Sequence, residues 1–160
     1  MPPMPVLPAE ANKALMRRLF EEGFHSGKLA VVDEIFHPNF VDRSTPEQPP
    51  GTKGVKDYIS MVRTGFPDIS ITIEDLVAEG ESASIHPCND ASASSFAQQG
   101  CNERVVVRTT WRGTHLGEYE GIAPTGKQVT RSMIQIFHVK DGKLLEEWSE
   151  GESLSQQILF

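Results

Sequence analysis

Three side chains in this sequence are of types that transfer protons: Asp42, His115 and Glu147. A carboxylate in apolar surroundings has a raised pKa and becomes a useful base near neutral pH. Histidine suits the same task because its unperturbed pKa is about 6.5. Each residue also has a structural interpretation. Asp42 can fill a turn, His115 can fix a loop by bonding to backbone, and Glu147 can be an exposed charge on a hairpin arm.

Sequence motifs for cofactors and metals are missing from the chain. It has no phosphate-binding glycine loop, no H-E-x-x-H motif and no G-x-S-x-G elbow. The two cysteines, Cys88 and Cys101, lack C-x-x-C spacing and a firm fourth ligand beside His86, so they do not predict a zinc site. A disulfide between them is possible, but in a reducing compartment we expect two free thiols. We also expect no metal and no cofactor.

The composition is that of an ordinary globular protein, with 38% hydrophobic and 23% charged residues among 160. A formal net charge of −7 argues against a nucleic-acid groove or an anionic membrane surface as partner. No apolar run approaches the ~20 residues that span a bilayer, and the N-terminus does not resemble a secretory signal. We therefore expect a cytoplasmic protein with a disordered, proline-rich tail (1–8) and a single domain (9–160).

The hydrophobic pattern changes from a helical period to strand alternation along the chain. Helices are predicted over 10–24, 29–36, 54–65 and, in a short piece, 154–159; strands are predicted over 69–78, 104–112, 129–139 and 143–149. Asp141-Gly142 is a two-residue hairpin turn. Helices followed by antiparallel strands indicate an α+β fold. The polar segment 82–103 interrupts this pattern, either as a surface insertion or as a lid over a binding site.

Strand alternation separates inward-facing from outward-facing residues. On 104–112 the charged face must be wet, so Trp111 points inward. The following strand is apolar on both faces, which is expected if one face lines a cavity and the other contacts a second subunit. Val106, Ile134 and Ile136 would otherwise be exposed, so we expect a homodimer. On the last strand we expect Leu145, Glu147 and Ser149 to face inward, opposite Leu144, Glu146 and Trp148.

The connection from Gly113 to Lys127 has glycines at 113, 117, 121 and 126 and a proline at 124. A basic strand precedes this connection and an apolar strand follows it. The segment DGKLLEEW comes after the apolar strand. This order resembles the SnoaL-like polyketide cyclases, also called ester cyclases, within the larger fold family named after nuclear transport factor 2. The resemblance implies a curved antiparallel sheet that forms a cone around three N-terminal helices and encloses a pocket.

The resemblance also implies roles for individual residues. The polyketide cyclases have a histidine between the same two glycines, which corresponds to His115, and their residue at the position of Gln135 faces the cavity. Asp42 occupies a place comparable to the general base of the related ketosteroid isomerases. The acid/base aspartate of the cyclases corresponds to Ser149, and serine is no base without an activating partner. Glu147, two residues away on the same face, is a candidate replacement.

These observations define a predicted site. Its candidate catalytic residues are Asp42, His115 and Glu147, and its candidate substrate-binding residues are His37, Phe40, Tyr58, Trp111, Arg131, Met133, Gln135, Phe137 and Ser149. His37 can equally be a helix stop before Pro38. The function implied is a cofactor-free acid/base enzyme that cyclises or isomerises a hydrophobic, polyketide-like molecule of secondary metabolism. Alternatives are a non-catalytic binding protein and an isomerase like the ketosteroid isomerases. An epoxide hydrolase would need an Asp-Arg-Asp set, to which only Arg131 could contribute.

Overall fold

The computed structural model of the protein describes residues 8–79 and 103–160. The predicted tail (1–8) and the polar segment (82–103) fall outside these residues, apart from Pro8, which begins the first helix, and Glu103, which begins a strand. Cys88 and Cys101 also lie outside them, so the predicted free thiols remain a prediction.

The helices lie where the helical periodicity predicts them. Their bounds are Pro8–Arg18 (α1), Ala30–Ile35 (α2), Lys53–Gly65 (α3) and Leu154–Leu159 (α4). Helix α1 continues directly into a π-helical segment, Leu19–His25, which the sequence pattern did not distinguish from α-helix. Gly27, with a φ of +71°, ends this helical run in the left-handed conformation that glycine adopts easily. No helix within residues 8–79 and 103–160 has the length and apolar character needed to cross a membrane.

Five strands form one curved, unclosed sheet with the order β1-β5-β4-β3-β2. Their bounds are Phe36–Asp42 (β1), Ser70–Glu79 (β2), Glu103–Thr114 (β3), Gln128–Lys140 (β4) and Lys143–Gly151 (β5). Strands β2 to β5 are antiparallel neighbours, and β1 adds to β5 in parallel. The α+β fold and the curved sheet are thereby confirmed. The parallel edge strand β1 goes beyond the predicted strands, the first of which begins at residue 69.

The register of β3 and β4 sets the inner and outer faces of the sheet. The two strands pair without a break from Glu103 opposite Val139 to Thr114 opposite Gln128. Along both strands, buried residues alternate with exposed or half-exposed ones. Helix α1 packs against β2 and β3, and α2 packs against β1 and β5, so the core lies between the helices and the inner face of the sheet.

A bulge near the start of β5 makes the predicted inward and outward directions of its first residues wrong. Val139 pairs with Leu144 and His138 with Glu146, so Leu145 has no direct partner on β4. Because the extra residue shifts the alternation by one, Leu144 is fully buried whereas Leu145 is only partly buried, the reverse of the prediction. Beyond the bulge, Glu147 and Ser149 line the inner face, as the alternation predicts, and Trp148 is exposed.

The glycine-rich connection between β3 and β4 is attached to the end of α3. The backbone N–H groups of Leu116 and Gly117 donate to the carbonyl oxygen of Gly65, at 3.0 and 3.2 Å. A Cβ atom on Gly117 would lie 2.0 Å from the carbonyl oxygen of Thr64. Further along, Glu120 and Gly121 form the turn of a small bridge, with φ of 49° and 77°. Glycine at 117 therefore serves close packing, and glycine at 121 serves a left-handed turn.

We expect Gly117→Ala to destabilise the fold by about 2 kcal/mol or more, because the methyl group would collide with backbone that cannot rotate away. Gly121→Asn is the matched control. It lies in open space, and asparagine tolerates a positive φ, so we expect a change of less than about 1 kcal/mol. Urea unfolding of both variants measures the difference. Equal stability of the two variants would contradict the packing described for residue 117.

Candidate active site

A cavity of about 560 Å³ lies between the helices and the inner face of the sheet. Its volume falls in the range of small-molecule sites, which is about 300–1,000 Å³. The walls are mainly apolar and aromatic, with Phe20 and Phe24 from the π-helical segment, Phe40 from β1, Trp111 from β3, and Met133 and Phe137 from β4. Phe24 stands nearly edge-on to Trp111, with ring centroids 5.0 Å apart. Such walls reduce the solvation of any polar group among them.

Glu147 is a carboxylate in this apolar wall. It lies beyond the β5 bulge and faces the cavity, where its Oε1 accepts a hydrogen bond of 2.6 Å from Nε2 of Gln135. The two residues lie diagonally across the pairing of β4 with β5, in which Gln135 is opposite Ser149. The amide fixes the position of the carboxylate. Oε1 of Gln135 is buried and has no hydrogen-bond partner among the described residues.

The surroundings raise the pKa of Glu147 from 4.5 to about 7. Loss of solvation is the largest cause of this shift. The side chain is half-buried, and the part that remains exposed faces the mainly apolar cavity. The negative charge of Asp42 adds to the shift, while the hydrogen bond from Gln135 opposes it by stabilising the ionised form. Near neutral pH, Glu147 therefore exists in both protonation states.

Asp42 lies beside Glu147 because β1 pairs in parallel with β5. The two residues are direct partners in the register, and both line the cavity. Oδ1 of Asp42 accepts a hydrogen bond of 2.8 Å from the backbone N–H of Ser44, the turn interaction that the sequence also allowed. The carboxylate of Asp42 is thus both a turn residue and a charge next to Glu147.

Ser149 lies on the same wall, opposite Gln135. Its backbone N–H donates to Oγ of Ser44 at 2.7 Å, and this hydroxyl donates back to the carbonyl oxygen of Ser149 at 3.2 Å. These bonds tie β5 to the turn after β1. They involve the backbone of Ser149, so its side chain remains free of them and lines the cavity.

Arg131 is the basic group of the cavity. It is only 6% exposed, and its guanidinium carbon lies 4.1 Å from the centre of the Trp111 ring, which stabilises the charge by a cation–π interaction. Its Nη2 donates to the hydroxyl of Tyr58 at 2.8 Å. Burial raises the pKa of Tyr119 well above its usual value, and the neighbouring Tyr58 and Glu120 raise it further. In the part of the chain that the structure describes, no ion pair joins Arg131 to a carboxylate.

His115 and His37 do not line the cavity, although ten of the predicted site residues do. The ring of His115 is fully buried beside Phe66, and its Nδ1 accepts a hydrogen bond of 3.1 Å from the backbone N–H of Thr125. This is the loop-fixing interaction that the sequence allowed as an alternative. Nδ1 of His37 likewise accepts from the backbone N–H of Asn39, at 3.0 Å.

Several cavity residues carry no signal that sequence reasoning could use. Thr45, Gln48 and Pro49 come from the loop after β1, where no periodicity indicates which side chains turn inward. Asp57 and Glu120 lie on an exposed helix position and in a turn, where charged residues are ordinarily solvated. No group of three or more His, Cys, Asp or Glu side chains within residues 8–79 and 103–160 could hold a metal ion.

Comparison with solved structures shows close similarity over nearly the whole chain. TsrD from Streptomyces laurentii is 24% identical, with a TM-score of 0.71 over 92% of this chain and 94% of its own. A protein from Jannaschia sp. CCS1, proposed to be a SnoaL-like polyketide cyclase, is 21% identical, with a TM-score of 0.71 over 96% and 94%. IdmH from Streptomyces antibioticus is 25% identical, with a TM-score of 0.64 over 92% and 95%. These values establish a shared fold.

No curated protein sequence matches the chain significantly. The family of SnoaL-like domains, in contrast, matches residues 16–147, which include α2, α3, the strands β1 to β4 and the part of β5 that carries Glu147. The match therefore covers most of the cavity wall as well as the fold. The chain belongs to the SnoaL-like domain family.

Proposed function

We propose that the protein is a cofactor-free acid/base enzyme that cyclises or isomerises a hydrophobic, oxygenated small molecule, of the polyketide-like kind made in secondary metabolism. The observation that supports this most strongly is the Glu147 carboxylate, which lies in an apolar cavity and has a pKa near 7. A general base works best when its pKa is close to the working pH. The Jannaschia protein of the same fold, proposed to be a SnoaL-like polyketide cyclase, agrees with this assignment.

The reaction begins with removal of a proton from a carbon next to a substrate carbonyl. Glu147 accepts this proton, and the electron pair of the C–H bond moves into an enolate. In cyclisation, the enolate carbon attacks a second carbonyl of the same molecule, a C–C bond forms, and the proton on Glu147 passes to the new alkoxide. In isomerisation, the proton returns to a different carbon. Gln135 keeps the carboxylate in place through both steps.

Asp42 has a supporting part in this scheme, because its charge raises the pKa of Glu147. The alternative related to the ketosteroid isomerases exchanges the two roles and makes Asp42 the base. His115, which is buried in the loop connection, acts in our proposal by fixing that loop through its hydrogen bond from Thr125. The remaining alternative, a binding protein without catalysis, uses the same cavity but no proton transfer.

Glu147→Gln tests the base directly. We expect wild-type protein to accelerate hydrogen–deuterium exchange at the α-carbon of 2-tetralone, a simple aromatic ketone, followed by proton NMR in D₂O. The variant should lose this acceleration by a factor of about 100 or more, because glutamine cannot accept the proton. Glu146→Gln is the matched control, since this neighbouring carboxylate pairs with Arg43 away from the cavity. Exchange by wild-type protein no faster than in buffer would favour the binding protein.

The pH dependence of the exchange separates the two carboxylates. The rate should rise with pH, with a midpoint near 7, because only ionised Glu147 accepts a proton. In Asp42→Asn the midpoint should move to lower pH, since one of the two causes that raise the pKa is removed. Burial remains, so the midpoint should stay above 4.5. Loss of exchange in Asp42→Asn with retention in Glu147→Gln would assign the base to Asp42.

We further propose that the protein forms a homodimer through the outer face of the sheet. Val77, Val106, Ile136 and Trp148 are successive partners across β2 to β5, so they form one apolar row. Val77, Ile136 and Trp148 are between 37% and 63% exposed. A contiguous apolar patch of this kind on a sheet is typical of an interface.

Sedimentation velocity of Ile136→Lys tests the dimer. We expect wild-type protein to sediment as a dimer and this variant as a monomer, because a charge in the middle of the apolar row would be buried without a partner. Leu159→Lys is the matched control, an exposed apolar residue on α4 away from the row, and should remain dimeric. A monomeric wild-type protein would refute the proposal.

A further inference from the structure

Arg131 is a buried cation to which the proton-transfer scheme gives no role. Its Nε atom is buried and has no hydrogen-bond partner among the described residues, although the side chain lines the cavity. Removing a charge from water is costly unless the charge is paired, so buried arginines are almost always paired. The stacking on Trp111 and the bond to Tyr58 offset part of this cost. Neither neighbour supplies a negative charge.

The acidic residues of the cavity wall do not act as counter-ions for Arg131. Asp57 pairs with Lys53 at 2.8 Å, and its side chain is 64% exposed. Glu120 is exposed and accepts a hydrogen bond from Oγ of Ser155. Asp42 and Glu147 lie next to each other on β1 and β5, away from Arg131 along the sheet. Arg131 is the only basic residue among the described residues of the wall.

The surroundings of Arg131 hold its side chain in one position. Trp111 is its direct partner in the register of β3 and β4, and the indole Nε1–H donates to Oγ1 of Thr109 at 2.9 Å inside the core. The ring is thereby fixed, and the guanidinium lies over it. A guanidinium group fixed in this way presents N–H donors in the planar arrangement that suits a carboxylate.

We propose that Arg131 binds a negatively charged oxygen group of the substrate, such as a carboxylate or an ionised phenol. The inference rests on the proposed function for the position of the reacting C–H bond beside Glu147. Arg131 and Gln135 share the inner face of β4 four residues apart, which is about 13 Å of strand. The substrate is therefore an elongated apolar molecule, with its acidic C–H bond near one end and its anionic oxygen near the other.

A matched pair of ligands tests this charge preference. Anthraquinone-2-carboxylate and anthraquinone-2-carboxamide have nearly the same size and shape and differ in charge. In isothermal titration calorimetry at neutral pH, we expect wild-type protein to bind the carboxylate at least about tenfold more tightly, as a charge-assisted hydrogen bond provides. Wild-type protein that binds both compounds equally, or binds neither, would overturn the inference.

Three variants assign the preference to Arg131. In Arg131→Met it should disappear, with the affinity for the carboxamide nearly unchanged. In Tyr58→Phe it should persist, because the charge remains. Arg131→Lys keeps the charge but loses the planar donors and the stacking on Trp111, so it should retain only a reduced preference. A preference that persists in folded Arg131→Met would overturn the inference, and if the methionine variant does not fold, an undiminished preference in Arg131→Lys would overturn it.

Glu147→Gln separates this inference from the proposed function. Ligand binding at equilibrium requires no proton transfer, so this variant should keep the preference for the carboxylate while it loses α-proton exchange. If wild-type protein prefers the carboxylate but does not catalyse exchange, the proposed function fails and the anion site stands. If Glu147-dependent exchange occurs without a charge preference, the proposed function stands and the anion site fails.

Discussion

The unbroken pairing of β3 with β4 is the constraint on which the other features of this structure depend. Twelve successive pairs, from Glu103 opposite Val139 to Thr114 opposite Gln128, leave no freedom in the register. Because side chains alternate strictly along paired strands, a slip of one residue would exchange the aromatic wall of the cavity for the exposed outer face. The same register places Trp111 beside Arg131, and the pairing of β4 with β5 then brings Glu147 within hydrogen-bond distance of Gln135.

The cavity combines two costly arrangements in one apolar space. A carboxylate near a second carboxylate lowers the stability of the empty protein, and so does a cation that pairs with no carboxylate among the described residues. Both are held by uncharged neighbours, Gln135 for Glu147 and the aromatic pair Trp111 and Tyr58 for Arg131. Polar groups that already have their final arrangement in the empty protein lose little conformational entropy when a ligand binds. The folding stability that this arrangement costs therefore contributes to ligand binding or to catalysis.

Much of the fold and of the cavity wall could be predicted from the sequence, because β3 alternates between one charged, wet face and one apolar face. That pattern identified Trp111, and with the resemblance it identified Gln135. Features determined by a single local irregularity or by a distant pairing could not be predicted. The bulge that buries Leu144 is one such feature, and the parallel addition of β1, which brings Asp42 to Glu147, is another. His115 shows that a suitable residue type does not determine where the ring lies.

The two tryptophans of the chain lie on opposite faces of the same sheet. Trp111 is 1% exposed under Arg131, whereas Trp148 is 38% exposed with its ring beside His138. Their emission spectra should differ, since an indole in contact with water fluoresces at longer wavelength than one in an apolar core. A ligand in the cavity would quench the shorter-wavelength emission of Trp111. A partner that covers the outer face would shift the longer-wavelength emission of Trp148. Intrinsic fluorescence thus reports on both surfaces without an added label.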